Sequence, residues 1–544
     1  MTITRRNFAK SASLITAGSL FASPLIARAS AANGKAPIVD TVYGKVRGVR
    51  QEDGIYTFKG IPYAASTAGA NRFMAPQKRD PWAGVRDCID WGPIAPQGAS
   101  QANPSGGMGH DFARFFGVGS EIAVSQSEDC LVLNVFTPAL DNRKRPVMVW
   151  IHGGGFSIGG STGQRSDGSN VALHQDVVTV SLNHRLGVLG YCHLHGYDGD
   201  FVHSGNVGQL DLIAALEWVR DNIEHFGGDP DTVLVYGESG GGGKVSTLMA
   251  MPGASGLYHR SICQSGTANR LPSADQATEY AGLLLKELDL ATDDIRKLQQ
   301  VPVERLIATA SKMELSGAPG MRMGFVPTAN TVDLPRNPIE AVADGSSPVP
   351  FMIGCTKHEA SLFLSASGTD PATVTEERLQ HQLRGMFHDK ADDLLEGYRA
   401  NHPEHTPGDL LVRIMTDRTR MASIELAEAH IQAGGAPTYM YLFTWESPVL
   451  PHLKSAHGID GTFYFDNTES VEITSDNPEA LSLAKSVSTA WANFAKYGEP
   501  SAPGLPDWPQ YSLENRETMV LSASPAIEND PLGADRKLRE ELGV

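Results

Sequence analysis

Val233-Leu234-Val235-Tyr236-Gly237-Glu238-Ser239-Gly240-Gly241-Gly242-Gly243-Lys244-Val245 is the stretch on which the reading of this chain turns. Four apolar residues in a row predict a short buried strand, and Lys244 to Met251 predicts a helix. Between them stands G-x-S-x-G. A serine at a strand–turn–helix junction is a nucleophile elbow: the glycines allow a turn too tight for side chains, and the hydroxyl is exposed above the carboxyl end of the sheet. Ser239 is therefore the candidate nucleophile. The motif alone says little in a chain with 56 glycines. A second match, Gly159-Gly160-Ser161-Thr162-Gly163, has no apolar strand before it and no helical pattern after it, so Ser161 is read as loop. The glycine run also imitates a phosphate-binding loop, but that pattern needs glycine where Glu238 stands and Ser or Thr where Val245 stands. Lys244 is read as a plain helix residue.

Upstream, His152-Gly153-Gly154-Gly155-Phe156 follows an apolar strand over residues 147–151. The bland reading is a flexible turn. Consecutive glycines at a strand end, ahead of an elbow, instead leave backbone N–H groups open to a developing oxyanion. Further short apolar runs occupy residues 131–136, 177–181, 351–353, 439–443 and 519–521. Helical patterns lie between several of them, at residues 210–226 and 480–497. Strands alternating with helices predict a large, mostly parallel sheet covered on both faces. Residues 38–49 and 55–61, joined by Gln51-Glu52-Asp53-Gly54, predict an N-terminal antiparallel hairpin. Parallel crossovers are long, so one sheet accommodates residues 32–544 as a single domain.

Composition bounds the function. The chain has 544 residues, 41% hydrophobic and 20% charged, which excludes collagen, coiled coil, a disulfide-stapled fold and wholesale disorder. A net charge of −17 repels phosphate backbones and argues against nucleic acid as a partner. Residues 1–31 combine Arg5-Arg6-Asn7-Phe8 with a weakly apolar run and Ala29-Ser30-Ala31, a pattern that resembles a bacterial twin-arginine export signal. Its removal takes away Arg5, Arg6, Lys10 and Arg28 and no acid, so the net charge of −17 becomes −21. The expectation is a periplasmic or secreted protein with no membrane association after cleavage. Cys88, Cys130, Cys192, Cys263 and Cys355 show no metal-ligand spacing and are read mostly as buried small hydrophobes.

Glu128-Asp129-Cys130-Leu131-Val132-Leu133-Asn134-Val135 and residues 226–241 are similar to the two signatures of the type-B carboxylesterase family, which contains the cholinesterases and has the α/β-hydrolase fold. Phe58-Lys59-Gly60-Ile61-Pro62-Tyr63-Ala64, Asn183-His184-Arg185-Leu186-Gly187, Gly205-Asn206-Val207-Gly208, Trp218-Val219-Arg220-Asp221-Asn222-Ile223, Gln264-Ser265-Gly266 and Trp491-Ala492-Asn493-Phe494-Ala495 fit as well. The likeness runs from about Val42 to Tyr511. It implies a serine esterase acting on small-molecule esters, with Ser239 as nucleophile, Glu359 as acid and His457 as base, in the family's chain order. It assigns the oxyanion hole to the amides of Gly154, Gly155 and Gly240, and it implies no cofactor and no metal. Activity is expected to fall below about pH 6–7 as His457 protonates.

Several positions depart from the family pattern. Gly240 stands where the family usually has Ala, and Val132, Gln209 and Leu212 are unusual. Ala95 stands where many members have a cysteine that bridges to the position of Cys130, so Cys130 is expected to be a free thiol. Residues 92–129 hold Phe112, Phe115 and Phe116 but no Trp or Tyr, which argues against a cage for choline. His358 is expected to be exposed beside the acid and His452 to lie in a loop. His184, His193, His195 and His203 match no ligand spacing. Amide, thioester or acyl-transfer chemistry on the same site, and a non-catalytic adhesion role, are the alternatives. The natural substrate and the oligomeric state stay open, with the pockets expected from loops near residues 92–129, 310–330 and 407–421.

Overall fold

The computed structural model describes residues 36–98, 115, 125–163, 166–315, 324–474 and 477–544. The export signal, Phe112 and Phe116, most of the 92–129 loop and part of the 310–330 loop lie outside the described residues. Residues 36–544 form one compact unit.

Its frame is an 11-stranded sheet. In chain order the strands are β1 (Ile38–Thr41), β2 (Gly44–Arg47), β3 (Val49–Arg50), β4 (Tyr56–Pro62), β5 (Val85–Asp87), β6 (Val132–Thr137), β7 (Arg145–Ile151), β8 (Val178–Leu182), β9 (Gly228–Glu238), β10 (Arg260–Gln264), β11 (Phe351–Thr356), β12 (Thr438–Phe443), β13 (Glu517–Leu521) and β14 (Ala526–Asn529). The large sheet runs β14-β13-β12-β11-β10-β9-β7-β8-β6-β4-β3. From β8 through β7, β9, β10, β11 and β12 to β13 neighbouring strands are parallel. The pairs at either end are antiparallel. With side chains alternating between faces, Val147, Val149 and Ile151 of β7 join one core with Val233 and Val235 of β9. Met148 and Trp150 join the opposite core with Leu234 and Tyr236. Helix α1 (Val207–Asn222) packs Leu212, Leu216 and Val219 into the first core. The long helix Pro478–Tyr497 packs Leu483, Val487 and Trp491 into the second. Both faces are thus covered, which is why these strands are nearly continuous apolar runs.

Three expectations change. Residues 38–49 are not one strand: the chain turns at Val42-Tyr43, β1 pairs with β2, and β5 joins them in a separate 3-stranded sheet. Only β3 and β4 form the hairpin around residues 51–54. Residues 407–421 are not loop; they begin a helix, Pro407–Gln432, opened by Pro407 and by a reciprocal cap between Thr406 and Asp409. Strand β10 carries only Ile262 and Cys263 as strongly apolar residues, too short a run to stand out in the sequence.

Candidate active site

The sheet brings four loops to one edge. The glycine loop leaves β7, the elbow leaves β9, and Glu359 follows β11 by three residues. His457 lies on the connection that leaves β12. Because β7 neighbours β9 and β11 neighbours β12, residues far apart in the chain are adjacent in space.

Ser239 has φ 58° and ψ −124°, a conformation rare for a side-chain-bearing residue. It is held by its own N–H, which donates to Gln264 O at 2.8 Å, and by its carbonyl, which accepts from Gly243 N at 3.1 Å. Helix α2 (Gly240–Ala250) starts immediately after it. First-turn amides have no intrahelical partner, so the Gly240 N–H is available beside the hydroxyl. Gly154, at φ 86°, bends the glycine loop, and its carbonyl accepts from Ile158 N at 3.1 Å. The N–H groups of Gly154 and Gly155 have no partner among the described residues. The loop lies directly on the helix start: a Cβ added at Gly240 would stand 2.0 Å from Gly155 O. A side chain at position 240 would therefore clash with the glycine loop.

Glu359 and His457 meet on the other side. Glu359 Oε2 contacts His457 Nδ1, and Glu359 Oε1 accepts from Thr356 N at 2.7 Å. The two loops are fastened together by His358 N donating to Ser455 O at 3.0 Å. Ser361 Oγ adds a 2.6 Å bond to Leu453 O. The Phe363 ring stands 4.8 Å from the imidazole and is 52% exposed.

Two carboxylates that the sequence reading did not assign close around the imidazole. Glu238 Oε1, buried with its residue, lies 3.2 Å from His457 Nε2. Asp460 is also buried and accepts from the Tyr441 hydroxyl at 3.1 Å. Burial alone would depress the imidazole, but Glu238, Glu359 and Asp460 outweigh it and raise His457 to about 9. Burial, reinforced by Glu238 and Glu359, raises Asp460 to about 7. The expected fall in activity below about pH 6–7 therefore moves to higher pH.

The remaining predicted positions sort plainly. His358 is not exposed: its side chain is 14% accessible, and burial pushes it down to about 3. His452 sits in a one-turn connection, Pro451–Leu453. His184 stacks on His152, His193 meets His195 edge to face, and His203 pairs with Asp333, so they form no common site. Ser161 is buried and accepts from the Asn134 side chain. Arg185 forks onto Asp211 at 2.6 and 2.8 Å, a structural pair. All five cysteines are buried and unpaired. Among the described residues, His402, Glu404 and His405 cluster as possible metal ligands. The two rings stack at 4.6 Å and 10°, so their lone pairs lie in parallel planes and do not converge on one ion.

Residues 35–539 match the carboxylesterase family. The chain is 35% identical over 506 residues to the para-nitrobenzyl esterase of Bacillus subtilis, covering 92% of this chain and 98% of that protein. It is 33% identical to liver carboxylesterase 1F of Rattus norvegicus, covering 90% of each chain. A crystal structure of a Geobacillus stearothermophilus carboxylesterase superposes with a TM-score of 0.80 at 34% identity, covering 92% of this chain and 99% of that one.

Proposed function

The chain belongs to the carboxylesterase family and is a carboxylic ester hydrolase of the α/β-hydrolase fold, and within that class we propose that Ser239, Glu359 and His457 form its catalytic triad. The observation that carries this reading is the contact of Glu359 Oε2 with His457 Nδ1 at the same sheet edge as the Ser239 elbow. His457, once neutral, leaves its contact with Glu238 and takes the Ser239 Oγ proton on Nε2. Oγ attacks the ester carbonyl. The oxyanion that forms is held by the amides of Gly154, Gly155 and Gly240. The imidazolium returns its proton to the departing alcohol. Water, deprotonated by the same nitrogen, cleaves the acyl-enzyme and regenerates Ser239. Glu359 orients the ring and stabilises its cation. The substrate is a small-molecule ester.

No helix among the described residues is long and apolar enough to cross a membrane. The paired Arg5-Arg6 and the small residues Ala29-Ser30-Ala31 support export of the folded protein through the twin-arginine route to the periplasm or beyond. Residues 32–544 then act as one catalytic domain.

Ser239→Ala tests the nucleophile. Hydrolysis of short p-nitrophenyl esters should be lost while the far-ultraviolet circular dichroism stays that of the wild type. Turnover at the wild-type rate in that variant would refute the assignment. Offering one acyl group as ester, amide and thioester separates the esterase reading from the amidase and thioesterase alternatives.

A further inference from the structure

Lys244 is the residue of helix α2 that the catalytic reading leaves unused. Its side chain is wholly buried, and Nζ donates to His152 O at 2.9 Å. His152 is the last residue before the glycine loop. Its ring stacks on His184 at 4.9 Å and 19°. His152 Nδ1 lies 2.8 Å from Gly153 O, and His184 Nδ1 lies 2.8 Å from Arg185 O. A carbonyl only accepts, so both Nδ1 atoms carry the proton and both Nε2 atoms are acceptors. Both Nε2 atoms are buried and have no hydrogen-bond partner among the described residues. Burial, then Lys244, holds His152 down at about 3 and His184 well below its usual range, so both rings stay neutral. Burial also brings Lys244 down to about 7. As amine or as ammonium it keeps an N–H for the His152 carbonyl.

A buried amine is costly unless its hydrogen bonds repay desolvation, and an apolar side chain of the same length would fill this space without that penalty. What the amine adds is a bond between two separate parts of the site. Residues 240 and 244 are one helical turn apart and share a face of α2. On that face Gly240 meets Gly155 O, and Lys244 meets His152 O. The first contact limits how closely the glycine loop approaches the helix. The second prevents it from moving away.

We propose that Lys244 is a positioning residue of the oxyanion hole, holding the peptide that leads into Gly153–Gly155 against the nucleophile helix so that the amides of Gly154, Gly155 and Gly240 face one oxyanion. The proposal rests on the esterase reading above and deepens it. Lys244 does not touch the substrate; it acts through the His152 carbonyl.

Lys244→Met removes the donor and keeps the length. Active sites are counted by the p-nitrophenol released stoichiometrically from a p-nitrophenyl phosphonate, so unfolded protein does not contribute. Per titrated site, kcat for p-nitrophenyl acetate should fall about tenfold or more, with KM within about twofold. The inhibition constant of a trifluoromethyl ketone, whose adduct carries the oxyanion, should rise by the factor lost in kcat/KM. The thermal midpoint should stay or rise, because a desolvated amine is gone, and the acid limb of the pH profile should not shift. Lys244→Gln, which keeps an N–H donor, should recover part of kcat. An unchanged kcat per site overturns the proposal. So does a loss confined to the number of titratable sites or to the thermal midpoint, which marks a merely structural residue. Should Lys244→Met not fold, Lys244→Gln and Lys244→Ser decide, and equal kcat in the two overturns it. Absence of ester hydrolysis in the wild type would instead refute the triad reading, a distinct result.

Discussion

Gly240→Ala is the sharpest test of the site, because the family residue is predicted to harm this chain. An added Cβ would stand 2.0 Å from Gly155 O, 2.4 Å from its Cα and 2.5 Å from its carbonyl carbon. Nonbonded heavy atoms rest at roughly 3.5 Å. The glycine loop must therefore move back by about 1.5 Å along the contact. All three obstructing atoms are backbone, so no rotamer change relieves the overlap. The displaced loop carries the Gly154 and Gly155 amides. Loss of one oxyanion donor costs roughly 100- to 1,000-fold in kcat, about 2.7–4 kcal/mol. The substitution should leave the fold intact, since alanine is favoured over glycine in a helix by about 1 kcal/mol. The assay is steady-state hydrolysis of p-nitrophenyl esters, normalised to sites titrated with a phosphonate. The expected result is a kcat about 100-fold lower with KM little changed. A kcat within twofold of the wild type would show that the loop yields without cost, and the close-contact account of Gly240 would be wrong.

Other expectations follow from the same geometry. Glu238→Gln removes the carboxylate at His457 Nε2, so the acid limb of kcat/KM should move down by about one unit; a limb that does not move would mean that Glu238 does not set the imidazole. Asp417 is buried between Arg413 and Arg420, which override the effect of burial and hold it at about 2. Asp417→Ala should cost roughly 3–5 kcal/mol by leaving guanidinium groups unpaired, read as a lower denaturation midpoint at fixed scan rate. In the wild type this stabilisation is present above about pH 4 and is lost as pH falls towards about 2. Burial raises all five thiols, so the native protein should not react with a disulfide reagent at neutral pH until denaturant is added. Rapid labelling of Cys130 in the native state would contradict its burial.

The sequence disclosed most of what lies within one local pattern. Apolar runs marked the strands that carry the site, and the elbow was visible because strand, glycine turn and helix are contiguous. Glu238 was in full view inside the elbow, but its place at His457 Nε2 depends on how a loop 219 residues further on folds back. Asp460 is three residues past His457, and nothing in that spacing shows that both are buried beside Glu238. Lys244 was read as a plain helix residue, and only tertiary packing shows its amine enclosed. The helix that begins at Pro407 is a different case. Thr406, Pro407 and Asp409 spell an N-terminal cap, a local signal that was present and passed over in favour of loop. The split between β1 and β2 rests on a two-residue turn at Val42-Tyr43 closed by Gly44 at φ 146°, a lone glycine signal inside an otherwise alternating run.

Strand β10 has a consequence of its own. Ser239 and the glycine loop ride on β9 and β7, whereas Glu359 and His457 follow β11 and β12, and β10 lies between the two groups. Ser239 N bonds to the end of β10, and Ser265 N, just past that end, bonds to β11. Neighbouring strands lie about 4.8 Å apart, so the spacing between the two groups is set by one strand's width on either side of β10. Ile262 and Cys263 anchor β10 in the two opposite cores, so substitutions there bear on the spacing between the two parts of the site.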